Sequence, residues 1–299
     1  MAKITEGYMP YLGHETYYRL VGEEYKDNGK APLILLHGGP GSTHNYFEIL
    51  DCVADMDQRM LVMYDQIGCG NSYLDGHPEL WTKETWMNEL IALREYLGLD
   101  ECHILGQSWG GMMCFIYACD YDHKGVKSFI LSSTLSHNSL WTQEHHRRMK
   151  YLSKESQEAI AEAERTGNFS GEAYEKANDE FMVRYCSDIV VPDDAPECLR
   201  RPKRSGSEAY VYGWGNNEFT PNGSLKDYDY EEKRKSIDTP CIIFNGAEDL
   251  CSPVVAKDMY DNIPGAEWHM FANSRHMCFA EDTDEYIEVL IDWLNRHDN

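Results

Sequence analysis

Short apolar runs alternate with helical spacing along the first half of the chain. Two continuous apolar runs, residues 32–36 and 60–64, end in glycine or polar residues, as is typical of strands buried on both faces of a parallel sheet, and two further segments are strand-like. In residues 85–97 apolar side chains recur every three or four positions, which predicts a helix with one buried face. This alternation predicts βαβ units and a mostly parallel sheet, preceded by a hairpin around Gly13. The predicted strands cover residues 32–36, 60–64, 102–105 and 126–131.

The alternation stops near residue 135 and resumes after residue 230. The intervening sequence is polar, with candidate helices at 141–153 and 171–185 and several prolines after them. Strand-like runs then return at 241–244 and 267–271, and a helix at 284–296 closes the chain. The pattern therefore predicts an α/β core in two parts, residues 1–135 and 231–299. A helical cap, residues 136–230, is inserted after the sixth strand.

The clearest chemical signal lies at Gly106-Gln-Ser-Trp-Gly110, between a predicted strand and a predicted helix. A Gly-x-Ser-x-Gly sequence in that setting is typical of a nucleophile elbow, a sharp turn that exposes a serine above a sheet. We expect Gly106 and Gly110 to be required because a Cβ at either position would collide where strand and helix meet. The motif predicts that Ser108 is the nucleophile of a serine hydrolase.

A nucleophilic serine needs a base and an acid that orients the base. In α/β-hydrolases these partners follow the serine in the order acid, then histidine, on loops after late strands. His276 is the one histidine in the loop between the last predicted strand and the last helix. The loop after residues 241–244 offers Glu248 and Asp249, and Asp249 is favoured by its place after the glycine turn.

The loop after the first central strand reads His37-Gly-Gly-Pro-Gly41. Enzymes of this kind carry a glycine-rich loop there, and one of its backbone N–H groups faces the nucleophile. Glycine lets the backbone approach a substrate closely. We predict an oxyanion hole formed by the N–H groups of Gly39 and Trp109. The loop lacks the Gly-Lys-Ser/Thr ending of a phosphate-binding loop.

The composition limits the possible partners, cellular location and cofactors of the protein. The net charge of −24 argues against a nucleic-acid partner, which would be repelled. No apolar run approaches the roughly 20 residues that span a bilayer, and the N-terminus lacks a signal-peptide pattern. The ten cysteines form no Cys-x-x-Cys pair, so we expect a reduced, cytoplasmic location. We expect no cofactor and no metal, and we interpret Glu144-His-His146 as a solvated helix face.

Taken in order, five segments resemble the prolyl aminopeptidase (proline iminopeptidase) family of serine peptidases. They are His-Gly-Gly-Pro-Gly at 37–41, Asp-Gln-Ile-Gly-Cys-Gly-Asn-Ser at 65–72, Gly-Gln-Ser-Trp-Gly-Gly at 106–111, Gly-x-x-Asp-x-x-x-Pro at 246–253 and Ser-x-His at 274–276. The resemblance covers nearly the whole chain and weakens in the cap. It implies an α/β-hydrolase fold with a helical cap.

The resemblance also implies an activity, the removal of an N-terminal residue, often proline, from short peptides or amides with a free N-terminus. Cap carboxylates of the family bind the substrate amine, and Asn216-Asn-Glu-Phe219 resembles the segment that supplies one of them, which implies this role for Glu218. A second glutamate commonly follows the catalytic aspartate, where this chain has Leu250. That departure leaves room for amino-acid amides or esters as substrates.

The sequence alone is also compatible with other functions. A general amidase or esterase would use the same triad without requiring a free amine. Epoxide hydrolases and haloalkane dehalogenases share the fold but use an aspartate nucleophile, which Ser108 argues against. A binding protein with an idle hydrolase site is the non-enzyme alternative. The oligomeric state is also open, with a monomer favoured.

Overall fold

The computed structural model describes residues 1–298 and contains one eight-stranded sheet. The strands are β1 Ile4–Tyr11, β2 His14–Val21, β3 Leu33–Leu36, β4 Leu61–Tyr64, β5 Cys102–Gln107, β6 Val126–Ser132, β7 Cys241–Gly246 and β8 Glu267–Phe271. Their order across the sheet is β1-β2-β4-β3-β5-β6-β7-β8. The hairpin β1–β2 and the β2–β4 pair are antiparallel, and every pair from β4 to β8 is parallel.

Helices follow most of the parallel strands, and a run of helices separates β6 from β7. The helices are α1 Cys52–Asp57, α2 Lys83–Leu97, α3 Trp109–Asp120, α4 Asn138–Met149, α5 Lys154–Thr166, α6 Glu172–Tyr185, α7 Glu197–Arg200, α8 Ser207–Gly213, α9 Pro253–Asn262, α10 Cys278–Glu281 and α11 Thr283–Arg296. Since α4 to α8 lie between β6 and β7, the insertion follows the sixth strand. The predicted fold class, a mostly parallel α/β sheet with a helical insertion after strand six, is confirmed.

One predicted helix of the insertion was wrong in its extent. The sequence pattern predicted a helix over 141–153, but α4 ends at Met149 and α5 begins at Lys154. Ser153 separates them because its side chain accepts a hydrogen bond from the Ser156 N–H at 3.2 Å and so caps α5. The pattern missed α5 because this helix is polar and buries little apolar surface, mainly at Ile160.

The continuous apolar runs are explained by the two layers that cover the sheet. Alternate side chains of β3 point to opposite faces, as the pleat of a strand requires. Ile34 and Leu36 join the core beneath α2, α3 and the insertion, whereas Leu33 and Leu35 join the core beneath α1 and α11. Every residue of β3 is therefore buried, which is the reason for its unbroken apolar sequence.

The cysteines and the helices agree with what the composition predicted. The ten cysteines are free thiols, and Cys102, Cys114 and Cys241 are buried, as their apolar surroundings in the sequence predicted. Within residues 1–298, no helix is both long and apolar enough to cross a membrane.

The turn between β5 and α3 brings backbone against backbone. A Cβ built on Gly110 would lie 2.0 Å from the carbonyl oxygen of Leu36 in β3. A Cβ on Gly106 would lie 2.2 Å from the carbonyl oxygen of Gly110. The predicted collisions at both glycines are confirmed, and they set the distance between α3 and the centre of the sheet.

We expect Gly110→Ala to reduce the free energy of unfolding by about 3 kcal/mol or more, since neither backbone can rotate away from the collision. Gly167→Ala is a suitable control because nothing lies within 4 Å of its Cβ position, and its φ of +71° isolates the backbone cost. That cost is about 1–2 kcal/mol. Urea unfolding of both variants measures the difference. A loss for Gly110→Ala no larger than the loss for Gly167→Ala would contradict the described packing.

Candidate active site

Ser108 occupies the turn between β5 and α3 in a strained backbone conformation, with φ 56° and ψ −118°. Its N–H donates to the Ser132 carbonyl at 3.0 Å, and its own carbonyl accepts from the Gly111 N–H at 2.9 Å. The Thr134 hydroxyl donates to the same carbonyl at 2.7 Å. These bonds hold the strained turn in one conformation, and Ser108 lines a cavity above the sheet.

The predicted base and acid are hydrogen-bonded to each other. His276, in the loop after β8, has its Nδ1 atom 2.8 Å from Oδ1 of Asp249, in the loop after β7. Because a carboxylate can only accept, Nδ1 carries the proton and Nε2 is left as the basic nitrogen. The carboxylate also accepts from the Cys251 N–H at 2.8 Å and the Gly246 N–H at 3.2 Å.

The two carboxylates that the sequence left as candidates differ sharply in their surroundings. Asp249 is 0% exposed and contacts His276, whereas the side chain of Glu248 is 69% exposed and lies 3.8 Å from Arg148. The structure therefore brings Asp249 and His276 together and leaves Glu248 at the surface. His276 lines the same cavity as Ser108.

His37 anchors the glycine-rich loop after β3 from below. Its Nε2 accepts a hydrogen bond from the Gln66 N–H at 3.0 Å, so Nδ1 holds the proton and donates to the Gly38 carbonyl at 2.9 Å. Burial lowers the pKa of His37 to about 4, and the ring is neutral at physiological pH. Its role is to hold the loop, and it does not line the cavity.

Two further buried side chains connect this loop to the elbow. The Tyr46 hydroxyl accepts from the Gly38 N–H at 2.6 Å and donates to Oε1 of Gln107 at 2.9 Å. Gln66 accepts from Nε1 of Trp109 at 2.8 Å, while its amide group donates to the His37 carbonyl at 3.0 Å. Buried hydrogen bonds thus connect the glycine-rich loop to the nucleophile elbow.

The predicted oxyanion-hole residues both line the cavity beside Ser108. Gly39 has a φ of +114°, a conformation that favours glycine. Among residues 1–298, neither the Gly39 N–H nor the Trp109 N–H donates to another protein group. Two backbone donors are therefore free to bind an oxygen atom placed between them.

The cavity holds about 450 Å³ and extends from the elbow into the insertion. Glu218 lines it, and its Oε2 accepts from the Tyr210 hydroxyl at 2.6 Å. Burial raises the pKa of Glu218, and the Tyr210 hydrogen bond and His276 oppose that rise. Within the described part of the chain Glu218 has no cationic partner. Leu250 lines the cavity too, together with Trp214, so the surroundings of this carboxylate are largely apolar.

Arg148 of α4 is a residue that the sequence analysis missed. It is buried, and its guanidinium donates to the carbonyls of Asp249 and Leu250. Its Cζ atom lies 3.5 Å from the centroid of the Tyr185 ring. The arginine thus fixes the backbone of the loop that carries Asp249. No sequence signal marks it, because its contacts depend on how α4 packs against the loop after β7.

The interpretation of residues 144–146 as a solvated helix face was wrong. Glu144 and His145 are buried, since α4 packs against the loop after β7 and against aromatic side chains. Glu144 accepts from the Ser252 hydroxyl at 2.8 Å, and the His145 ring lies 3.7 Å from that of Trp141. His146 alone is partly exposed and contacts Glu164. Helix α4 therefore contacts the loop of Asp249 through Glu144 as well as Arg148.

One group of side chains in the described chain has donor atoms close enough to share a metal ion, namely Asp249, Cys251 and His276. The donor atoms of Asp249 and His276 are already hydrogen-bonded to each other. Burial raises the pKa of the Cys251 thiol well above its usual value, and the thiol donates to the Ser133 carbonyl at 3.0 Å. A neutral thiol is a poor ligand, so this donor set fits a hydrogen-bonded acid–base pair better than a metal site.

Comparison with known proteins places the chain in a family. Residues 31–283 match the model of the alpha/beta hydrolase fold. A proline iminopeptidase of Clostridium botulinum is 58% identical over 99% of this chain and 100% of its own length. One from Clostridioides difficile is 56% identical with the same coverage.

Solved structures agree with these relatives. The crystal structure of a proline iminopeptidase from Mycobacterium smegmatis has a TM-score of 0.84 and 28% identity, covering 98% of this chain and 99% of that one. The structure of VinJ has a TM-score of 0.85 and 27% identity at the same coverage. The family resemblance and enzyme class predicted from the sequence are confirmed, and the chain belongs to the proline iminopeptidases, aminopeptidases of the α/β-hydrolase fold.

Proposed function

We propose that this protein releases N-terminal proline, and other small or apolar residues, from short peptides or amino-acid amides through an acyl-enzyme on Ser108. The observation that carries the proposal is a carboxylate without a cationic partner, Glu218, in the same cavity as Ser108 and His276. Glu218 is partly exposed, and a carboxylate held among apolar side chains is stabilised when a cation pairs with it. The free amine of a substrate supplies that cation, and the names of the relatives indicate proline as the residue released.

In the first half of the reaction, Nε2 of His276 takes the proton of the Ser108 hydroxyl as its oxygen attacks the scissile carbonyl carbon. The carbonyl oxygen becomes an oxyanion and accepts hydrogen bonds from the N–H groups of Gly39 and Trp109. His276 then gives its proton to the leaving amine, and the C–N bond breaks. Asp249 keeps the imidazole in the correct tautomer and stabilises its charged form.

Water completes the cycle. His276 takes a proton from a water molecule, whose oxygen attacks the acyl carbon of the ester on Ser108. The same two N–H groups stabilise the second oxyanion. The ester bond breaks, His276 returns its proton to the Ser108 oxygen, and the free amino acid leaves.

We also propose that residues 136–230 act as a cap over this chemistry. The insertion supplies Trp141 from α4 and Trp214 and Glu218 from the segment after α8, while the core supplies Ser108 and His276. An apolar wall lowers the local dielectric, so a substrate ammonium gains more from a carboxylate there than it would in water. The indole rings and Leu250 would contact the apolar ring of an N-terminal proline.

We expect Ser108→Ala to abolish turnover of prolyl, alanyl and phenylalanyl arylamides, since no other group can form the acyl-enzyme. Wild-type activity should be confined to substrates with a free amine and lost when the amine is acetylated. A fluorophosphonate probe should label wild type and fail to label the variant. Equal turnover of acetylated substrates would instead indicate a general amidase or esterase, the alternative that Leu250 leaves open.

Glu218→Gln should lower kcat/KM for free-amine substrates by roughly tenfold to a hundredfold, as expected from losing a charge-assisted hydrogen bond of about 1.5–3 kcal/mol. Glu248→Gln is the matched control, because it removes the same charge from an exposed side chain nearby. Steady-state kinetics on a prolyl arylamide distinguishes the two. Similar losses in both variants would show that net charge, and not amine binding at Glu218, determines the effect.

Arg148→Met should reduce kcat by about tenfold or more while changing KM little, because the loop of Asp249 loses its two hydrogen bonds to the guanidinium. Arg147→Met removes the neighbouring arginine, which is largely exposed and pairs with Glu144, and should have a much smaller effect. Kinetics of both variants, each with its melting temperature, tests this. An unchanged kcat in folded Arg148→Met would contradict a positioning role.

A further inference from the structure

A second charged side chain of the cavity has no role in the reaction described above. Lys203 lies between α7 and α8 and lines the cavity wall formed by Gly41 and its neighbours. The backbone around it is attached to the core: the Gly206 N–H donates to the Gly41 carbonyl at 2.8 Å, and the Gly70 N–H donates to the Arg204 carbonyl at 2.7 Å. Lys203 therefore lies on a segment that is hydrogen-bonded to the glycine-rich loop, residues 37–41.

The ammonium group of Lys203 has no carboxylate partner within residues 1–298, although the chain holds 51 acidic and 27 basic residues. Its neighbour Arg201, by contrast, pairs with both Glu48 and Glu197. Lys203 is exposed to solvent overall, but it lines the cavity, and its nitrogen lies 5.7 Å from the centroid of the Tyr46 ring. A solvent-accessible cation that borders the cavity beside an aromatic ring, and lacks a counter-ion in so acidic a protein, is available to an anionic ligand.

The cavity thus presents two unpaired charges of opposite sign, Glu218 and Lys203, and Ser108 lines it as well. The two charged residues have different neighbours. Glu218 accepts a hydrogen bond from Tyr210 of α8, whereas Lys203 faces the ring of Tyr46, which is hydrogen-bonded to the glycine-rich loop. A molecule with an ammonium at one end and a carboxylate at the other would satisfy both. A free dipeptide or tripeptide has this form, because it carries an N-terminal ammonium and a C-terminal carboxylate only a few bonds apart.

We propose that Lys203 binds the C-terminal α-carboxylate of a dipeptide or tripeptide substrate, so that the enzyme selects short peptides with a free C-terminus over amides and long chains. The inference rests on the proposed function, since the substrate amine must be held at Glu218 for the carboxylate to reach Lys203. Lys203 is then a specificity-determining residue, because it contacts the part of the substrate that leaves with the amine.

The test compares Pro-Ala with Pro-Ala-amide, which differ only in the terminal negative charge. Wild type should show a kcat/KM for Pro-Ala at least about tenfold above that for the amide, and added salt should reduce this ratio. Lys203→Met should lower the ratio to about one by slowing Pro-Ala alone, and Lys203→Arg should retain the preference. Arg204→Met is the matched control, since its guanidinium lies 3.2 Å from the Tyr73 ring centroid and it does not line the cavity.

Several results would overturn the subsite. A ratio in Lys203→Met equal to that of wild type would exclude a contact with the carboxylate. An equal loss for both substrates would assign Lys203 to the oxyanion or to the fold, and the same change of ratio in Arg204→Met would indicate a long-range charge effect. Failure of wild type to cleave either substrate would overturn the proposed function itself, and so is distinguishable from failure of the subsite.

Discussion

The contact of backbone with backbone at Gly110 is the constraint on which the active site depends. The carbonyl of Leu36 leaves no room for a side chain on the first turn of α3, so this helix begins directly against β3. The chain continues from Leu36 into the glycine-rich loop, and three residues later it reaches Gly39. One close approach therefore brings the N–H groups of Gly39 and Trp109 beside the same serine, although 70 residues separate them in sequence.

A set of buried hydrogen bonds keeps this arrangement rigid. Gln66 links His37 to Trp109, and Tyr46 links Gly38 to Gln107, so each loop is held through side chains of its neighbours. Satisfied polar groups in a low-dielectric interior resist rearrangement more strongly than the same groups in water. Donors that are fixed before the reaction need no reorganisation when charge develops on the substrate. The neutral His37 contributes as a structural anchor and not as a proton carrier.

The sequence predicts those parts of the site whose position follows from local backbone rules. Ser108 is predicted because its turn requires glycines on both sides, and His276 is predicted because parallel strands carry their loops to one edge of the sheet. Local backbone rules could not predict Arg148, since it reaches the loop that carries Asp249 only through the packing of α4. Lys203 has no motif either, and its place depends on hydrogen bonds between a loop of the insertion and Gly41. The hydrophobic pattern did not predict α5 for a related reason, because this helix is polar and buries few apolar side chains.

Electrostatics in the cavity differs from electrostatics at the surface. The net charge of −24 attracts ammonium groups and repels carboxylates, but salt screens such effects beyond about 8–10 Å. Within a largely apolar cavity, a pair of charges at 4 Å gains about 4 kcal/mol at an effective dielectric constant of 20, against about 1 kcal/mol in water. In the proposed binding mode, local pairs with Glu218 and Lys203 would therefore outweigh the general repulsion of an anionic substrate end. A neutral amide would leave the Lys203 ammonium without a partner, so selection against it needs no steric clash.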